Sequence, residues 1–136
     1  MARSLLAIAT GFVLIALLSF GTDVALKSAM PSLYEADGST SSVPLLVLTI
    51  AYVGLYATAG CYLAARMAPS RPMRHAVILG ILGLIFNIAG AIVMWHTAPV
   101  WYHGVSLLLV MLWAWLGGRM REQELANASS HRTVPV

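Results

Sequence analysis

Four long apolar segments, separated by shorter polar ones, dominate the hydrophobic pattern of the chain. They cover residues 4–30, 45–66, 74–95 and 101–119. A helix rises about 1.5 Å per residue, so about twenty apolar residues cross the roughly 30 Å hydrocarbon core of a bilayer. The pattern therefore predicts an all-α integral membrane bundle of four transmembrane helices in residues 1–121. The remaining polar residues, 122–136, are expected to form a disordered tail.

The first apolar segment has two interpretations. Arg3 precedes the apolar run, as a basic residue does in a signal peptide, and small residues around Gly21 would permit cleavage. Its apolar run is longer than the roughly 7 to 15 residues of a signal-peptide core, which favours an uncleaved first helix. Pro31 is expected to end that helix, because proline lacks an amide hydrogen and disfavours helical geometry in the residue before it.

The third segment carries a face of small and weakly polar residues. Gly80, Gly83, Asn87 and Gly90 recur at steps of three and four, which places them on one side of a helix. In lipid, helices are held together by close backbone approach over small residues, because the surrounding acyl chains are as apolar as leucine. We therefore expect Gly80, Gly83 and Gly90 to pack against neighbouring helices.

The few charged residues predict an orientation in the membrane. Only 10% of the 136 residues are charged and 60% are hydrophobic, which excludes an ordinary soluble domain. The net charge of +3 comes from arginines at the segment ends, so nucleic-acid binding is not predicted. Arg3, the 66–74 connection, Arg119 and Arg121 lie on one side, opposite Lys27. The positive-inside rule then predicts cytoplasmic termini, in a multi-pass protein of the cell inner membrane.

Polar side chains within the spans concentrate toward the predicted outer surface. Asp23, Tyr52 and Asn87 fall in the outer half, and Tyr56 shares a helical face with Tyr52. An ionisable residue inside a span is costly and is therefore a candidate functional site. These four residues could line an outward-opening polar pocket. In the alternative interpretation, Asp23 is hydrated or paired with Lys27, and the other three form interhelical hydrogen bonds.

Other candidates for chemistry are weaker. His96 and His103 flank the turn after the third segment, but two histidines do not complete a metal-ligand set. Cys61 is the single cysteine, which excludes an intramolecular disulfide. No nucleophile, base and orienting residue occur at a recognisable spacing. The sequence therefore predicts no metal and no cofactor, and it does not indicate an enzyme.

Short motifs are spread over residues 2–121. They comprise residues 64–76, 79–83, 89–91, 99–102 and 114–119, together with Gly11-Phe12 and Gly21-Thr-Asp23. These motifs resemble an uncharacterised family of small bacterial four-helix integral membrane proteins. The resemblance implies four helices in a bacterial inner membrane, and it supplies no activity, cofactor or catalytic residue.

Three classes of function fit these features. The scarcity of charge within the spans favours an accessory, scaffolding or self-associating membrane subunit, whose partners are the lipid bilayer and either further copies of the chain or a membrane complex. The alternative is a small-solute or ion/proton-coupled transporter with an outward-facing pocket around Asp23. An intramembrane enzyme would need several converging polar groups that the sequence does not show.

Overall fold

A computed structural model describes residues 2–130 of the chain as four long helices. They are α1 Ala2–Ala29, α2 Val43–Met67, α3 Pro72–Val93 and α4 Val100–Ser130. Short 3-10 turns at Pro31–Leu33 and Trp95–Thr97 complete the regular structure of the described residues. Each long helix is long and apolar enough to cross a membrane. The predicted fold class, an all-α bundle with four membrane-spanning helices, is confirmed.

The helix boundaries follow local sequence signals. Prolines occupy the first turns of α2 and α3, where the missing amide hydrogen has no cost. The fourth helix differs from expectation, since it continues past residue 119 to Ser130. Nη1 of Arg121 lies 2.8 Å from Oε2 of Glu124. Ion pairs one turn apart stabilise a helix, and this one lies in the part of α4 that follows the apolar segment. Residues 131–136 of the expected tail lie outside the described residues.

Successive helices run antiparallel, which gives the bundle two distinct ends. The connections 30–42 and 94–99 lie at one end, here called the loop end. The connection 68–71 and the start of α1 lie at the other, here called the terminal end. Within the bundle, α4 packs on α2 and α3, and α1 packs mainly on α2.

The outer surface of the bundle is apolar, while its interior is built from small residues. Phe20, Val93 and Leu108 are each more than 70% exposed, as suits side chains that meet lipid. The buried residues include Ala7, Ala64, Ala76 and Ala114, and the largest fully buried side chain belongs to Leu79. The helices therefore approach closely, and the core contains little side-chain volume.

The three glycines predicted to pack differ in their surroundings. A Cβ built on Gly80 would overlap the Cβ of Ala114 on α4. At Gly83, the same added atom would lie 3.7 Å from Val110, an ordinary van der Waals contact. At Gly90, no atom lies within 4 Å of an added Cβ. The helices on either side of this face therefore diverge toward the loop end.

Candidate binding site at the loop end

A cavity of about 330 Å³ opens where the helices diverge at the loop end. Its polar wall combines residues from all four helices and from the 30–42 connection: Asp23, Lys27, Tyr34, Thr49, Asn87, Tyr102 and His103. Leu45, Leu46, Ala91 and Met94 supply an apolar part of the same wall. The volume lies within the range of small-molecule sites, and the mixed wall is also typical of them.

Asp23 connects the cavity to the α1–α2 interface. The hydroxyl of Tyr52 donates a hydrogen bond to Asp23 Oδ1, so one carboxylate oxygen is held from α2. One turn further along α2, the hydroxyl of Tyr56 lies 3.0 Å from that of Thr22. Of the four residues predicted to form a pocket, Asp23 and Asn87 line the cavity. Tyr52 supports Asp23 from behind, while Tyr56 bonds to α1 outside the cavity lining.

Lys27 lies one helical turn from Asp23 and contributes the opposite charge. Its Nζ is 5.6 Å from the centroid of the Tyr34 ring, a cation–π distance. Among the described residues, no ion pair within 4 Å joins Lys27 to Asp23. The pairing considered in the alternative interpretation is therefore not formed. Burial and, secondarily, the negative charge of Asp23 raise the pKa of Tyr34 above its ordinary value, so this ring stays neutral beside the ammonium.

His103 is the least exposed polar residue of the cavity wall. It is 7% exposed, and its ring stacks on Trp95 with the centroids 5.3 Å apart. In the part of the chain that the structure describes, its buried Nε2 has no hydrogen-bond partner. An unsatisfied buried nitrogen costs free energy, and such groups are otherwise nearly always paired. The ring of His103 nevertheless forms part of the cavity wall.

The sequence reasoning considered His103 only as a metal ligand with His96, and it missed this role. His96 lies in a separate depression of the loops, lined by Glu35 and Ser39, and not in the wall around Asp23. Across residues 2–130, no three side chains of His, Cys, Asp or Glu come together as a metal site. No sequence signal marked His103, because its position depends on how α4 meets α3.

Hydrogen bonds between the two loop-end connections form the rim of the cavity. The amide of Thr40 donates to the carbonyl oxygen of Thr97 at 3.0 Å, and the Thr40 hydroxyl donates to the Leu33 carbonyl at 2.8 Å. Hydrogen bonds from Ser39 hold the pKa of Asp37 below its usual range. The 30–42 connection is therefore an organised cap beside the cavity and not a loose loop.

A second cavity, of about 520 Å³, lies at the terminal end between α1 and α3. Arg71, Arg74 and His75 line it together with apolar residues such as Leu5 and Ile78. No carboxylate contributes to its described wall. The two cavities therefore differ in charge: the terminal-end wall is cationic, whereas the loop-end wall holds one acid and one base.

Comparisons with known proteins found no match among protein families, curated proteins or solved structures. The resemblance to small bacterial four-helix membrane proteins thus stays a prediction, and the candidate site stands on its geometry.

Proposed function

We propose that the chain is a small-solute carrier of the bacterial inner membrane that binds its solute in the loop-end cavity. The observation that carries the proposal is one cavity whose wall joins the Asp23 carboxylate, the Lys27 ammonium and the buried ring of His103. Ionisable side chains within membrane-spanning helices are costly, and they mark binding sites or ion pathways where they occur.

The orientation proposed from the arginines places the cavity on the outer side. The cationic terminal end, with Arg71 and Arg74, would face the cytoplasm and the anionic lipid surface there. The solute would enter past the rim formed by Thr40 and Thr97. Asp23, already held by Tyr52, would present its second oxygen to the solute without first having to be ordered.

A second candidate function is a self-associating or accessory subunit of a membrane complex. Gly21 on α1 and Gly104 on α4 are exposed, and an added Cβ would meet no atom within 4 Å at either. Small exposed residues allow the close approach of a helix from another chain. Native mass spectrometry after mild detergent extraction tests this candidate, because a stoichiometric partner would favour a subunit.

Replacement of Asp23 by Asn tests the carrier proposal. Purified protein is placed in liposomes, and the uptake of radiolabelled amino acids and primary amines is measured. We expect at least one of these compounds to be taken up, and Asp23→Asn to lower its uptake about tenfold or more, because the charge that holds the solute is lost.

Asp37→Asn is the matched control. It removes the same charge from an exposed residue outside the cavity lining, and it should retain uptake. Uptake that survives Asp23→Asn, or the absence of uptake for every compound tested, would contradict the proposal.

A further inference from the structure

The loop-end cavity carries one charge of each sign on the same helix face. Asp23 and Lys27 are four residues apart, so their backbone positions are separated by about 6 Å along α1. Each side chain has its own neutral partner: Asp23 accepts from Tyr52, and Lys27 lies over the ring of Tyr34. The two charges are therefore held near one another without forming an ion pair within 4 Å.

From this arrangement, we infer that the cavity binds a small zwitterion, with the cationic group at Asp23 and the anionic group at Lys27. The inference rests on the proposed function and names the chemical class of its ligand. A singly charged solute would satisfy one of the two side chains and face repulsion from the other. A solute with both charges satisfies both side chains, and the site therefore discriminates against solutes that carry only one charge.

The rest of the wall suits a ligand of amino-acid size. The volume of about 330 Å³ is near the lower limit of small-molecule sites. Leu46, Ala91 and Met94 can contact a short apolar part of the ligand between or beside its charges. The Asn87 amide on α3 and the ring of His103 on α4 add polar groups to the wall.

Three probes that share a four-carbon chain separate the possibilities: 4-aminobutyrate has both charges, butylamine only the cation and butyrate only the anion. Their affinities for the full-length protein in lipid nanodiscs are measured by equilibrium dialysis. We expect 4-aminobutyrate to bind about tenfold or more tightly than either singly charged probe, because juxtaposed like charges are strongly unfavourable.

Two substitutions should shift this preference in opposite directions. Lys27→Gln should weaken 4-aminobutyrate binding and strengthen butylamine binding, because the repulsive ammonium is removed. Asp23→Asn should weaken 4-aminobutyrate binding and strengthen butyrate binding. A misfolded variant would bind none of the three probes. Tighter binding of one probe together with weaker binding of another therefore reports on the charges themselves.

The possible failures are distinct. Equal binding of butylamine and 4-aminobutyrate by the unaltered protein, unchanged in Lys27→Gln, would overturn the zwitterion inference and leave an Asp23-dependent cation site. If none of the three probes binds, the inference is also overturned, while uptake of an amine or amino acid that depends on Asp23 would still support the carrier proposal.

Discussion

The two halves of the bundle use glycine in opposite ways. In the half nearer the terminal end, an added Cβ would come within 3 Å of a neighbouring atom at Gly11, Gly60, Gly80, Gly117 and Gly118. Near the middle of α2, an added Cβ on Gly54 would still meet the Trp113 side chain. In the half nearer the loop end, Gly90 lines the cavity and has no atom within 4 Å of an added Cβ. The first half is closed by backbone contact, and the second is open enough to hold a cavity.

The closed and open halves differ because they contain different types of residue. Alanines and glycines dominate the closed half, so its helices can touch along their backbones. The open half contains large polar or aromatic residues, including Asp23, Tyr52, Tyr102 and His103. Their volume separates the helices, and their polar groups need partners that an apolar contact cannot supply. A binding site thus arises where close packing stops.

The largest expected effect comes from Gly117→Ala in the closed half. The new Cβ would lie 2.5 Å from the carbonyl oxygen of Thr58 and 2.8 Å from the Cβ of Cys61, and neither atom can move without shifting α2. We expect a loss of about 1–3 kcal/mol or more in the free energy of unfolding, measured by denaturation in mixed micelles. Gly104→Ala on the same helix is the control and should not destabilise. Equal effects of the two would show that the loss does not come from the contact of Gly117 with α2.

An intermediate effect is expected from the matched pair on α3. Gly80→Ala places a Cβ against the Cβ of Ala114 alone, so it should lower the free energy of unfolding by about 1 kcal/mol, less than Gly117→Ala. Gly90→Ala has room for its Cβ, but it lines the cavity. It should leave stability nearly unchanged and weaken binding of 4-aminobutyrate in the dialysis assay. If Gly90→Ala destabilised the fold as much as Gly80→Ala, the open half would not be open.

The smallest expected effect comes from an aromatic pair between α1 and α3. The ring centroids of Phe12 and Phe86 are 5.1 Å apart, with the planes tilted by 45°. A double-mutant cycle that replaces each by leucine should give a coupling energy of about 0.5–1.5 kcal/mol, measured as the free energy of unfolding. A coupling of zero would show that this contact does not help to hold α1 against α3 in solution.

The candidate site could be predicted only in part. Asp23 and Asn87 were identified because polar residues in apolar spans are conspicuous, and both line the cavity. Tyr56 was grouped with them by helical periodicity, yet its hydroxyl lies against Thr22. The contribution of His103 was missed, because its burial and its unpartnered nitrogen depend on the stacking of α4 residues against Trp95.

By itself, the sequence determined the four helices and nearly all of their boundaries. Each helix satisfies its own backbone hydrogen bonds and is selected by its own hydropathy, so no knowledge of its neighbours is needed. Tertiary structure alone decided which glycines touch another backbone, which face of α1 meets α2, and whether Asp23 pairs with Lys27 or with Tyr52. Those outcomes depend on the distances between helices, which no single segment encodes and which the packing of all four sets together.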